Sequence, residues 1–329
     1  MLNFLKYVKN FVTNFRLIFI KSHKLSIILN YHRIGNVDPQ NPFHRLHTVS
    51  FTTFKFQVRM CLLIGKFVSL DQITNSNLHS RLNFCITFDD LSYSCHEALL
   101  WLNKQKIPFA VCPCKQITEE SLSWRDKVYY IEKFISNKDA LDAVRKKFPT
   151  SKFQSNDSFY SLSKSSEFDQ GDMIKDVVNV LFKSVQTGKK KLENKKNYFN
   201  SIDLIRLKNK IENLEIVNHS VSHANLTHFD IAQLNNEISE CDEFLRDLFD
   251  ETPSYFAVPF GKFDSRLAIG LCEVARVHQK KAILWVSNRF NLDIGATPNK
   301  TKQLSRFHTA TSVLGLFKQI LGSFLLPHF

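Results

Sequence analysis

Two kinds of apolar pattern alternate along this chain. Short runs rich in apolar residues occupy 25–31, 84–88, 108–112, 255–258 and 282–286, with shorter or more polar ones at 216–218 and 303–307. Their length and their β-branched and aromatic content predict buried strands. Between them, apolar residues recur at helical spacing over 51–64, 95–105, 231–249 and 265–279. Strands alternating with helices predict parallel βαβ units. One interval breaks the rhythm. Residues 115–214 are longer than a single βα connection needs, and they predict a mostly helical insertion that caps whatever lies at the neighbouring strand ends. Within it, the Ser- and Lys-rich stretch 150–166 predicts a mobile loop.

The chain ends carry a different pattern. Leu2, Leu5, Val8, Val12, Phe15 and Phe19 form one helical stripe, with Lys6, Lys9, Thr13 and Arg16 beside it. Residues 1–24 therefore predict a basic amphipathic helix lying in a membrane interface. Lysines interrupt the apolar run, so it fits neither a signal peptide nor a bilayer span. Residues 313–329 predict a second apolar helix, through Val313, Phe317, Ile320, Leu321 and Phe324. The alternative for both is a terminal helix packed on the body formed by residues 25–312.

With 329 residues, 43% of them hydrophobic, the chain can fill one full core. The net charge of +13 is uneven. Residues 1–37 hold six Lys or Arg and no acid, and residues 183–210 hold nine against Glu193 and Asp203. Such basicity suits anionic partners. Nothing else resembles a nucleic-acid-binding pattern, so nucleic acid is not an expected partner. The seven cysteines are odd in number and show no Cys-x-x-Cys pair, which predicts a reduced set and a cytoplasmic protein.

The chemistry is concentrated in two segments. The strand at 84–88 delivers Asp89 and Asp90 to its C-terminal end. Two adjacent carboxylates beside a buried strand need a cation or a shared proton, since unpaired buried charge is costly. In Asn218-His219-Ser220-Val221-Ser222-His223, the two histidines are four apart and share a face if the segment coils into a helical turn. Two imidazoles and one carboxylate make a divalent-metal site with open positions, most simply for zinc.

These segments resemble the Thr-Phe-Asp-Asp and His-Ser-x-x-His motifs of the NodB-homology polysaccharide deacetylases. Asn30-Tyr31-His32-Arg33-Ile34 is similar to the Tyr-His opening of the subfamily related to the poly-N-acetylglucosamine deacetylases. Phe256-Ala257-Val258-Pro259-Phe260-Gly261 resembles the third motif, and Leu304-Ser305-Arg306-Phe307 the closing one. The resemblance implies a distorted (β/α) barrel of about seven strands, with chemistry at the strands' C-terminal ends. It implies a metal-dependent deacetylase that removes the N-acetyl group of an amino sugar in a glycan or a lipid-linked saccharide. It makes Asp89 the general base and Asp90, His219 and His223 the metal ligands, with Ser220 supporting them. The Phe260 backbone N–H would serve the oxyanion. His32 is the general acid, with His308 as the rival, and Arg306 orients Asp89 or binds a substrate oxygen.

There are departures. Leu91 stands where the family has Gly, and is expected to narrow the sugar site or bend the loop. Ala257 replaces an Arg found in many members. A closed site would leave a non-catalytic glycan-binding or scaffold protein, and the intact Asp-Asp and His-x-x-x-His set argues against that. Together with the basic N-terminus, the reading places the protein on the inner membrane surface.

Overall fold

The structure, a computed structural model, describes residues 24–36, 47–78, 80–120, 122–148, 158–163, 172–187, 197–261, 263–288, 291–292 and 301–309, with 312, 315, 316 and 318 beyond. The expected helices at 1–24 and 313–329 lie essentially outside the described residues.

In chain order the strands are β1 (Leu25–Tyr31), β2 (Arg33–Ile34), β3 (Thr48–Val49), β4 (Lys66–Phe67), β5 (Leu82–Asp89), β6 (Ala110–Cys112), β7 (Glu215–Ile216), β8 (Tyr255–Ala257), β9 (Ala282–Val286), β10 (Asn291–Leu292) and β11 (Lys302–His308). The main sheet runs β7-β6-β5-β1-β11-β9-β8 and is parallel along that path. A parallel bridge from Asn218, just past β7, to Phe256 in β8 joins the two edges. The result is a nearly closed barrel of seven parallel strands with helices around it, as the resemblance implies. The chain's first strand sits between β5 and β11, pairing Asn30 with both Thr87 and His308. The ends of β1, β5 and β11 are thereby neighbours.

Side-chain alternation along each strand divides two cores. Ile27, Leu29 and Tyr31 of β1 and Phe84, Ile86 and Phe88 of β5 pack outward under the helices. Ile28, Cys85, Ala110, Val217, Ala257, Leu284 and Leu304 fill the barrel. Asn30, Asp89 and Arg306 share the inward parity of Ile28, Cys85 and Leu304. They therefore end up inside, at the C-terminal mouth.

The interval 115–214 holds helices Lys115–Glu120, Trp124–Phe134, Asn137–Lys147, Phe159–Ser163, Asp172–Thr187 and Ser201–Lys210. It has its own small core around Val128, Ile131, Val144, Phe159 and Phe182. The loop expected at 150–166 is interrupted, because Phe159–Ser163 is helical and Phe159 is fully buried in that core. Tyr198 ties the insertion to the barrel. Its backbone bridges Ser92, and its hydroxyl donates to Asp126 Oδ2 over 2.8 Å. All seven cysteines are free, and six are buried.

Candidate active site and metal centre

Asp89 closes β5 with its side chain in the barrel mouth, 3% exposed. Arg306 Nη1 donates to its Oδ1 over 2.5 Å, and Asn30 Nδ2 donates to its Oδ2 over 2.8 Å. Asn30 is held in turn by the Thr87 hydroxyl, 3.1 Å from its Oδ1. Burial pushes the Asp89 carboxyl up, but Arg306, His219 and His32 outweigh it and hold the group ionised, well below the usual carboxylate range. Arg306 is fully buried on this pairing.

Asp90 follows in a left-handed conformation, φ 58°, which turns its carboxylate away from the strand. Its Oδ1 lies 3.0 Å from His223 Nε2 and 3.5 Å from His219 Nε2. His219 Nδ1 sits 2.8 Å from the Ala257 carbonyl. A carbonyl only accepts, so Nδ1 carries the proton and the Nε2 lone pair faces Asp90. Ala257, which lacks the family's Arg, thus serves through its backbone, while Arg306 supplies a guanidinium to Asp89 from another strand.

A loop rather than a helical turn brings the two histidines together. Ser220 (φ 70°) and His223 (φ 50°) are both left-handed, so the segment is a loop. Ser220 Oγ accepts the His223 N–H over 3.1 Å, and Ser220 N–H donates to Asn218 Oδ1 over 2.8 Å. These bonds fold the chain back so that the two rings meet at 5.0 Å. Phe260 is left-handed as well, φ 59°, and its ring lies 5.0 Å from that of His223. Gly261 makes this turn possible: at φ 63°, a Cβ would fall 2.6 Å from Val286 Cβ.

Leu91 keeps the left-handed backbone, φ 49°, that glycine adopts freely. Its side chain enters the outer core and is 1% exposed, so it does not narrow the sugar site. The conformation costs roughly 1–2 kcal/mol, and full burial of a leucine contributes about 1.5–3 kcal/mol. Burial wins, and the feature that favoured a non-catalytic protein is absorbed into packing.

A divalent ion fits the residues present. One nitrogen each from His219 and His223 and one oxygen of Asp90 lie within 4.8 Å of one another. Asp90 Oδ1 is buried without a hydrogen-bond partner, which is the condition of a ligand atom facing a cation.

A second cluster stands beside it. His32 and His308, at the ends of β1 and β11, have ring centroids 5.3 Å apart, and His47 lies 5.0 Å from each. His47 was not singled out from the sequence; no motif surrounds it, and only the β2–β3 pairing brings it here. His47 Nδ1 and His308 Nε2 share a hydrogen bond at 2.9 Å. His32 Nε2 instead faces Asp89 Oδ2 at 4.0 Å, and that oxygen lies 3.8 Å from His219 Nε2. Burial lowers His32 to about 4 despite Asp89 and Asp90, and lowers His47 to about 2. A cleft lined by His32, His47, Asp90 and His223 opens over both clusters, and Trp124, Arg125 and Tyr198 of the insertion wall it.

Barrel and site together set one carboxylate and two imidazoles that could hold a metal ion at the C-terminal ends of parallel strands. Residues 198–277 match the family model described as polysaccharide deacetylase. This chain resembles that family in its motifs, in this match and in its fold. No curated protein matches it in sequence. Among solved structures, the Streptococcus pyogenes deacetylase PplD in complex with acetate superposes with a TM-score of 0.57 at 13% identity, over 91% of this chain and 99% of that one. The Bacillus cereus polysaccharide deacetylase BC0361 gives 0.52 at 12%, over 91% and 69%. IcaB from Ammonifex degensii gives 0.51 at 13%, over 87% and 92%. At these identities the likeness is one of fold.

Proposed function

We propose that this protein is a metal-dependent N-deacetylase of amino sugars. The observation that carries the reading is the set Asp90, His219 and His223, with the His219 Nε2 lone pair aimed at Asp90 by the Ala257 carbonyl. A divalent ion held there, most simply zinc, would polarise the acetamide carbonyl and acidify a water. Asp89 takes the proton of the attacking water. Its Oδ2 faces His219 on one side and His32 on the other, so one carboxylate oxygen serves both water and acid.

His32 is the acid that this geometry supports, because His308 Nε2 is engaged with His47. The low His32 pKa refines the sequence expectation. At pH 7 the ring is neutral and has no extra proton to give. It becomes an acid by receiving the proton that Asp89 has taken, and then donates it to the departing amine. The Phe260 ring lies 5.0 Å from that of His223, and the Phe260 backbone N–H is the donor offered to the oxyanion.

The substrate is an N-acetylated saccharide, in a glycan or linked to lipid. The basic, Phe-rich N-terminal segment supports a cytoplasmic place on the inner membrane surface. Among the described residues no helix is long and apolar enough to cross a membrane.

The test is metal analysis of the purified protein with an amine-release assay on N-acetylhexosamine conjugates. One divalent ion per chain is expected, lost together with hydrolysis in the His219→Ala, His223→Ala double variant. Undiminished metal in that variant refutes the site.

A further inference from the structure

The cleft over the site carries two guanidinium groups that the deacetylation chemistry does not use. Arg125 enters from the insertion and Arg33 from the end of β2, and both line the cleft. The Arg125 guanidinium lies over the Phe260 ring, 4.7 Å from its centroid. That ring is 5.0 Å from the ring of His223. The cation therefore stands one aromatic ring away from a metal ligand, a separation that a single sugar residue and its substituents can bridge. Its Nε is buried without a hydrogen-bond partner.

The carboxylates of the cleft are otherwise occupied. Asp90 faces the two metal histidines. Asp126 Oδ2 accepts the Ser123 N–H, the Ser123 hydroxyl and the Tyr198 hydroxyl. Among the described residues, neither Arg33 nor Arg125 has an ion-pair partner. Two guanidiniums without ion-pair partners in one recess present forks suited to carboxylate or phosphate. A neutral glycan would leave them uncompensated.

We propose that Arg125, with Arg33, forms an oxyanion subsite, and that the substrate is an N-acetylated amino sugar carrying a phosphate or a carboxylate on the same or the adjoining residue. This rests on the deacetylase reading of the metal centre, and deepens it by naming the substrate class. Arg125 also packs on the residue offered to the oxyanion, so substrate charge and the reacting carbonyl would be registered against one side chain.

The experiment uses the full metal-loaded chain and two readouts. Turnover is compared on N-acetylglucosamine 1-phosphate, an N-acetylated aminouronic acid and the neutral methyl glycoside of N-acetylglucosamine. Binding of the corresponding free-amine products is measured by calorimetry. At least one anionic compound should be preferred over the neutral one by about tenfold or more, the scale of one charge-assisted hydrogen bond. The phosphate and uronate arms identify the oxyanion. Arg125→Gln should collapse the ratio towards one, and Arg125→Lys should keep part of it. Equal handling of anionic and neutral compounds, or a ratio untouched in Arg125→Gln, overturns the subsite. If no compound releases acetate, the deacetylase reading fails, and the calorimetric ratio alone still decides the subsite.

Discussion

Arg306 reaches past an intervening strand to pair with Asp89. β1 lies between β11 and β5, yet Arg306 Nη1 donates to Asp89 Oδ1 over 2.5 Å inside the barrel. Asn30, on that middle strand, bonds Asp89 Oδ2 and sits 3.5 Å from Arg306 Nη1. Three strands are thus tied at one carboxylate. Arg306→Met should destabilise the protein by about 3–5 kcal/mol, because it leaves a buried charge without its partner. Adding Asp89→Asn to that variant should recover part of the loss. Urea denaturation of the two variants checks this, and a loss below about 1 kcal/mol in Arg306→Met contradicts it.

The base and the acid separate by variant. Asp89→Asn should retain one metal ion per chain and lose nearly all turnover. His32→Ala should lose ~100-fold or more in kcat, the usual scale for a general acid. The deficit should shrink on an O-acetyl ester of an acidic phenol, whose leaving group needs no proton. His308→Ala should be milder on both substrates. A severe His308→Ala beside a near-normal His32→Ala would transfer the acid role to β11.

Acid should weaken the fold over a defined range. Burial lowers His32 to about 4 and His47 to about 2, so the folded chain leaves both rings neutral where the unfolded chain, near 6.5, takes up protons. The unfolded state binds more protons below pH 6.5, and stability falls as pH falls through 6.5 towards 4. Below that, protonation of Asp89 and Asp90, whose folded values are depressed, removes further stability. The melting temperature should therefore drop between pH 6.5 and 4.5, and less steeply in a His32→Asn, His47→Asn variant. A flat profile in the unmodified protein counts against the buried, neutral cluster.

Removal of residues 1–21 should lower binding to anionic vesicles while sparing turnover of a soluble substrate. The binding should weaken with salt, because exposed charges are screened beyond about 8 Å at physiological ionic strength. Equal sedimentation of the full and shortened chains would make the terminal segment a packing element.

The barrel and the two halves of the candidate metal site are legible in the chain because they are written locally. An apolar run ending in Asp89-Asp90, and two histidines four apart, are properties of short segments. Parallel strands buried on both faces read as continuous apolar runs, so the sequence did not show which residues point inward. Only the sheet reveals that Asn30, Asp89 and Arg306 share the barrel interior. The i, i+4 spacing of the His motif suits a helical turn, yet the rings meet through a loop, because Ser220 and His223 take left-handed angles that local hydrogen bonds stabilise. Leu91 was weighed as an obstruction because its backbone angle and core burial are not local properties. His47 and Arg125 carry no motif. They meet the site through a two-strand pairing and a helical insertion, and such long-range contacts are decided by the packing of the whole fold.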